Sequence, residues 1–409
     1  MKVFCAFSQF NYGVQARGTS IEYESFLPAI RNSGHEVLFL DTWDKLAFPT
    51  YDLLNRALLE QVERFQPDIV FTVQRDFEIW TETLQTLANE GSAALATWTT
   101  DDSFKFPKVS RFIGGFYDAI STTYDYRLAD YKAVGIESAC FTQWAANAHW
   151  LNPPRPASEC RYKVSFIGTR YGERAAILDR LRESGIPVEC FGYGWPRGAI
   201  ESAQIPAIMR DSVISLNFSA GFMSSGGHDR QIKARTFEVP GAGGFLLTDA
   251  APGLEKIYAI GSEIDVFSGI DQLKDKIRYY LEHPEERDRI ALAGFERTRN
   301  CHTYEKRLKE IFELALERRA MRRGETTARP RVATGQTDKS SQYQALPEPR
   351  LTSLERASRR LLIWLCRLVW GHDRGLRAAR RVTSELSVRL VGARTFTARG
   401  LPGKLFPYI

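Results

Sequence analysis

Lys233-Ala-Arg-Thr-Phe-Glu-Val-Pro-Gly-Ala-Gly-Gly-Phe-Leu-Leu-Thr-Asp249 is the stretch on which the reading of the fold turns. Residues 231–238 have helical spacing and end on a carboxylate, Glu238. Gly241, Gly243 and Gly244 follow at once, and 245–248 is a short apolar run of the kind that fills a buried strand. A helix handing over to a buried strand through glycines is half of a βα repeat. Glycines there allow close backbone approach and expose N–H groups to an anion. A carboxylate at the helix end suits a ribose diol, while Lys233 and Arg235 suit a diphosphate. A plain glycine turn before a core strand reads equally well on composition.

Working outward, the same alternation fills the chain. Strand-like runs at 3–7, 37–40, 69–73, 93–97, 119–122 and 138–141 alternate with helix-like runs at 21–32, 51–65, 77–89 and 126–134. Thr19 and Glu22 stand at capping-box spacing before the first of these helices. Asn152-Pro-Pro-Arg-Pro156 breaks the pattern as a linker, and a second series of βα units runs to about 318. The expectation is two doubly wound, Rossmann-like α/β domains, 1–150 and 151–318, facing a central cleft, with ligands at the carboxyl ends of the strands. Residues 319–350 are rich in Arg, Thr, Gln and Ser and poor in large apolar side chains, so a disordered linker is expected.

The charge is unevenly spread. The whole chain carries +6, yet 351–409 holds twelve Lys or Arg against Glu355, Asp373 and Glu385, leaving the rest mildly acidic. From Leu354 to Trp370 a stripe of Arg356, Arg360 and Arg367, flanked by Arg359, opposes Leu354, Leu361, Leu362, Leu365, Leu368 and Val369, with Trp364 at the boundary. That is the pattern of a helix lying in an anionic membrane interface. The other reading packs this face on the protein's own body. Nucleic acid does not explain the leucines and is not expected. The six cysteines and six histidines are scattered, which favours a reducing, cytoplasmic setting and argues against a metal site. No leader peptide is expected.

Other candidates lie after strands. Gly168-Thr-Arg170 and Arg174 lead into a helix, where an anion is favoured by free N–H groups, although Arg174 also reads as a solvated helix position. Asp101 and Asp102 follow the strand at 93–97, as a general base or acceptor ligand, or simply as a helix cap. The loop from Asn11 to Gly18 lacks a GxGxxG pattern and reads as acceptor-side. His149 and His228 are single histidines, more often structural than catalytic; His228 is the better candidate because a glycine-flanked loop carries it just before the helix of Glu238.

The run from about 162 to 307 resembles the CgeB-like (spore maturation protein) branch of GT-B glycosyltransferases. The resemblance is carried by Phe166-Ile-Gly168-Thr-Arg170 with Arg174, Phe191-Gly192-Tyr-Gly194-Trp195, Lys233 to Glu238 and Gly243 to Thr248. Glu263-Ile-Asp265, His283-Pro-Glu-Glu-Arg287, Ala293-Gly294 and His302-Thr-Tyr304-Glu-Lys-Arg307 complete it. It implies a GT-B fold and a retaining transferase in which the carboxylate matching Glu238 holds the donor ribose. Basic residues and helix N-termini take the phosphates. Many relatives carry an acid eight positions before that carboxylate; here the position is Arg230, beside Asp229.

The expected activity is therefore metal-independent transfer from a UDP- or GDP-type sugar, with no cofactor, to a cell-surface glycan or lipid-linked acceptor. The enzyme is expected in the cytoplasm, peripheral on the inner face of the membrane through its tail. Arg170, Arg174, Lys233, Arg235, Glu238, Gly241, Gly243 and Gly244 are the expected donor residues, and Asp101, Asp102 and His228 the catalytic ones. A nucleotide-sugar epimerase of the same fold, or a non-catalytic glycan-binding scaffold, is the alternative.

Overall fold

Residues 1–220, 230–324 and 351–406 are described in the computed structural model, and their strands form two wholly parallel sheets. Two units emerge: 1–142 with 308–409, and 143–307.

In the first unit the order along the chain is β1 (Lys2–Phe7), α1 (Leu27–Asn32), β2 (Glu36–Asp41), α2 (Tyr51–Phe65), β3 (Ile69–Thr72), α3 (Thr81–Glu90) and β4 (Ala94–Thr99). Short helices α4 (Asp102–Lys105) and α5 (Arg111–Ile113), β5 (Ala119–Thr122), α6 (Arg127–Ala133) and β6 (Ala139–Phe141) follow. The sheet order is β2-β1-β3-β4-β5-β6. Its central strands read as near-continuous apolar runs because helices cover both faces: Val3 to Phe7 and Ile69 to Phe71 are completely buried. Two boundaries differ from the sequence reading in ways that matter below. Helix α3 begins at Thr81 rather than 77, leaving 73–80 as an irregular loop after β3. Ser20, not Thr19, caps the first helical turn by accepting from Tyr23 N–H at 3.1 Å, and Glu22 turns to Arg75 instead of closing a capping box.

The second unit runs β7 (Tyr162–Ile167), α7 (Gly172–Glu183), β8 (Glu189–Phe191), α8 (Ile205–Arg210), β9 (Ser212–Asn217), α9 (Arg235–Gly241), β10 (Leu246–Asp249), β11 (Asp265–Phe267), α10 (Ile270–Glu282) and α11 (Pro284–Cys301). Its order, β11-β10-β9-β7-β8, repeats the winding of the first sheet. In both, the first strand lies between the second and the third, so the winding reverses beside it. Arg287 of α11 is fully buried and organises the amino end of this sheet. It donates to the carbonyls of Val213 (2.7 Å), Ser212 (2.8 Å) and Arg155 (2.9 Å).

The returning chain corrects the domain reading. Helix α12 (Tyr304–Gly324) continues past 318, and Phe312 packs edge-on against Phe71 of β3. Arg319, placed in the linker by the sequence reading, lies on this helix and donates to the carbonyls of Ala88 (2.6 Å) and Gly91. Arg322 pairs with the buried Asp118 at 2.7 Å. The remainder of the expected linker, 325–350, lies outside the described residues. Helices α13 (Ser353–Trp370), α14 (His372–Val391) and α15 (Leu401–Leu405) then belong to the first unit rather than to a separate tail. Phe396 joins that unit's core and stacks on Phe112 at 5.6 Å. Ser384 donates to Asp76 (3.0 Å), Ala398 N–H to Glu82 (3.2 Å), and Lys108 pairs with Glu385 (2.8 Å).

Replacing Arg287 by Met should leave three buried carbonyls without donors. Each orphaned group costs about 1–3 kcal/mol, so urea unfolding of the second unit should show a loss of roughly 3 kcal/mol or more. An unchanged midpoint would show that the guanidinium is dispensable.

Candidate functional site

The reversal of winding in the second unit falls between β7 and β9, where neighbouring strands send their chains to opposite faces and leave a crevice at their carboxyl ends. A shallow depression lies there, lined by Arg174, Phe218, Arg230, Asp249, Phe267 and Gly269 among others. Each comes from a loop or helix start that follows a strand, which is why residues so distant in sequence meet.

Arg174 is the most telling of them. It stands in the first turn of α7, stacks 3.6 Å from the Tyr171 ring centre, and donates to Thr169 O at 2.5 Å. Its buried Nε has no hydrogen-bond partner among the described residues. Burial and then the nearby Arg235 charge lower its pKa. A guanidinium held in this way is stabilised by an arriving anion. Arg235 donates to the Ile167 carbonyl (3.4 Å) at the end of β7 and pairs with Glu238. Glu238 is buried, with one oxygen engaged by Arg235. Lys233 is half-buried just before α9. Arg170 points elsewhere: it lies 5.3 Å from the Trp195 ring centre and pairs with Asp179 of α7 at 2.7 Å. Arg230, where many relatives of the resemblance have an acid, pairs with Asp249, whose pKa burial raises.

The glycines need a correction. Gly241, Gly243 and Gly244 are buried and form no open N–H cradle. Gly243 N–H donates to Pro240 O and Gly244 N–H to Val239 O, both at 2.9 Å. They are glycines because the turn packs backbone against backbone. At Gly243, with φ +82°, a Cβ would lie 2.5 Å from Asn152 O; at Gly244 it would lie 2.8 Å from Met209 O. His228 and its neighbour Asp229 lie outside the described residues. His149 is exposed and meets the Trp150 ring edge-on. His302 is structural: it is buried against Phe237 and Tyr258, accepts from Arg307, and burial holds its pKa at about 4.

In the first unit the acidic pair separates. Asp102 is fully buried and accepts from Thr99 (2.7 Å), Ser110 (2.5 Å) and Tyr131 (2.6 Å). That carboxylate ties β4, the short helices and α6 together and is not free for catalysis. Asp101 is exposed, with left-handed φ 59° and ψ 34°, and its side chain caps nothing. Such a backbone outlier stands just past the carboxyl end of β4. The loop after β3 adds acids that the sequence reading passed over. Glu78 accepts from Arg75 N–H (2.5 Å) and Asp76 N–H (2.8 Å). Burial, then the Glu78 charge, pushes Asp76 up to about 7. Among the described residues no group of three or more His, Cys, Asp or Glu could hold a metal ion.

Asp102→Ala should therefore act on stability. With Ser110 and Tyr131 deprived of their acceptor it should cost about 2 kcal/mol or more in urea unfolding, whereas Asp101→Ala, which removes an exposed side chain, should leave the midpoint almost unmoved. Equal midpoints for the two variants would contradict these assignments.

Residues 173–313 match the model of a family described as glycosyl transferase-like. Over 269 residues the chain is 22% identical to spore protein CgeB of Bacillus subtilis, covering 60% of this chain and 82% of CgeB. Sucrose-phosphate synthase from Thermosynechococcus elongatus superposes with a TM-score of 0.52 at 11% identity, over 79% of this chain and 99% of that one. HepE from Anabaena, solved with UDP and glucose, gives 0.51 at 10% identity, over 76% and 98%. The fold of the two parallel sheets is thus that of these structures, and the transferase-like module covers the depression-bearing half of the chain. Taken together, the module, the likeness to CgeB and the fold shared with sucrose-phosphate synthase and HepE point to a glycosyltransferase similar to CgeB.

Proposed function

We propose that the chain transfers a sugar, with retention and without a metal ion, from a uridine or guanosine diphosphate donor to a glycan or lipid-linked acceptor at the inner face of a membrane. The observation that carries the donor half is the unpartnered Nε of Arg174 in the depression beside β7 and β9. A leaving diphosphate gains negative charge as the glycosidic bond breaks. Preorganised cations at that position lower the barrier most where water is excluded. Arg174 and Arg235 supply two such charges, and the thirteen-residue helix α10 begins beside Gly269 of the same depression with its positive dipole end. These groups do the charge neutralisation that a divalent cation performs in other transferases. Glu238 has its second oxygen for the ribose, with Arg235 fixing the carboxylate's orientation. Retention rests on the CgeB-like resemblance. HepE, of the same fold, is a protein solved with UDP, which favours a uridine donor.

Glu238→Gln should weaken UDP or GDP binding by about 1–3 kcal/mol, the usual worth of a charged hydrogen bond, with unfolding nearly unchanged. Calorimetric titration that finds full affinity would remove Glu238 from the donor site. Slow hydrolysis of the donor without acceptor separates a transferase from an epimerase or a scaffold.

The membrane half rests on α13. This helix has three faces. Leu362, Ile363 and Cys366 pack on α14 and α15. Leu354, Leu361, Trp364, Leu365 and Leu368 remain exposed on a second face. Arg356, Arg360 and Arg367 lie between the two. The sequence reading placed Leu362 on the exposed side, and the structure moves it inward. No helix among the described residues is long and apolar enough to cross a membrane. Contact is therefore proposed as peripheral, with the leucine stripe entering the interface and the arginines meeting anionic headgroups. Each arginine is worth on the order of 1 kcal/mol near such a surface, less as salt rises. Because Phe396 belongs to the first unit's core, truncating 351–409 would damage the fold, and point changes are the cleaner probe. The full-length protein should sediment with phosphatidylglycerol vesicles, and Leu361→Asp with Leu365→Asp should abolish this at any salt. If that double variant sediments like the wild type, α13 faces something other than lipid.

A further inference from the structure

The first unit has its own reversal of winding, between β1 and β3, and the transferase reading leaves it without a ligand. Tyr12 and Arg17 stand in the loop leaving β1, and Arg75 in the loop leaving β3. Arg377, 360 residues further along than Arg17, arrives on α14. The three guanidinium carbons lie 5.4, 5.6 and 5.4 Å from the centre of the Tyr12 ring. Three like charges therefore converge on one half-exposed ring at the edge where a doubly wound sheet receives its ligand.

We propose that Arg17, Arg75 and Arg377 form a phosphate-binding site around Tyr12, which takes the phosphate of an anionic sugar acceptor. The acceptor role rests on the transferase reading; the anion site does not. Convergence of cations is unfavourable unless an anion offsets it. Arg75 has Glu22, at 3.2 Å, as a partner. Among the described residues neither Arg17 nor Arg377 has a carboxylate partner. The nearby acids have hydrogen-bond partners of their own and make no ion pair with Arg17 or Arg377 among the described residues. Asp41 accepts from Gln9 and Trp43 N–H, Asp76 from Ser384, and Glu78 from two backbone N–H groups. Two further cations raise the local potential: Lys45 is half-buried and, after burial, the Arg380 charge on α14 lowers its pKa.

The backbone points the same way. Tyr12 is held at φ 58°, ψ 27°, a left-handed conformation that side chains rarely adopt. Gly13 follows it, also left-handed, and a Cβ there would lie 3.0 Å from Trp43 O. The loop is thus pressed against the β2 side and presents Tyr12 outward. Planar guanidinium groups bind phosphate oxygens two at a time, and three of them match a dianion better than they match neutral hydroxyls. A neutral glycan offers nothing that would offset this charge.

The test uses the full chain with inorganic phosphate as the probe. To keep the donor depression out of the readout, phosphate is titrated by calorimetry into Arg174→Gln and into the same protein carrying Arg17→Gln and Arg377→Gln. The triple variant should bind phosphate at least about tenfold more weakly, the lower end for lost charge-assisted hydrogen bonds. Thermal unfolding checks that both remain folded, as the exposed positions of Arg17 and Arg377 lead one to expect. Two further arms name the source. Tighter binding of glucose 6-phosphate than of inorganic phosphate, lost in the triple variant, supports a free sugar phosphate. Preference for phosphatidic acid vesicles over phosphatidylglycerol vesicles, lost in the same variant, supports a phosphate at a lipid headgroup. Equal phosphate affinity in the two proteins overturns the site. UDP and GDP titrations of the wild type report on the donor reading separately, so either can fail alone.

Discussion

In a parallel sheet every strand ends on the same edge, and a chain that winds first one way and then the other must leave a gap where it turns. Both sheets of this protein obey that constraint with the same order, the first strand lying between the second and third. The candidate donor depression and the Tyr12 cluster each sit at one of the two gaps. Arg174, Phe218, Asp249 and Gly269 are brought together in the second unit because they each follow a different strand of one sheet. In the first unit the loop leaving β1 brings Tyr12 and Arg17, and the loop leaving β3 brings Arg75 to meet them. The rest of the sequence keeps these edges in place: apolar strands bury on both faces, Arg287 ties the amino end of one sheet, and Asp102 ties the carboxyl side of the other.

Both gaps carry arginines. An arginine stays charged even where burial lowers its pKa, as at Arg174, so a site built from it is ready for a phosphate at any physiological pH. The acids near both gaps play a different part. Glu238, Asp249 and Glu22 each hold an arginine side chain in a fixed orientation, at little distance from the place an anion would occupy. That arrangement favours recognition of a diphosphate or phosphate through geometry, with Asp101 as the one strained acid left exposed.

The carboxyl-terminal helices join the two themes. Their basic character suggested an independent tail, yet α14 lies on the first unit through Ser384, Glu385 and Arg377, and Phe396 enters its core. The outward stripe of α13 is left exposed. A surface-seeking helix fixed to the unit that carries Tyr12 and Arg75 would hold that unit in one orientation at a membrane.

The sequence by itself determined the class of fold and the count of βα units. Those follow from local rules: apolar period and turn residues are written within a few positions of one another. It also marked Arg174, Arg235 and Glu238, because each lies beside a strand end that periodicity reveals. Tertiary structure alone decided the rest. Asp101 and Asp102 are adjacent and chemically identical, and only packing against Ser110 and Tyr131 makes one structural and leaves the other exposed. The glycines after Glu238 looked like an anion cradle, but their use is set by Asn152 and Met209, which lie far away in the chain. Helical spacing assigned Leu362 to the wrong face because period gives a stripe without saying which edge of it meets a partner. Arg377 could not be placed beside Tyr12 from any local signal, since a contact across more than 360 residues depends on where the whole chain returns, and that is settled by burial of Phe396 and its neighbours rather than by any motif.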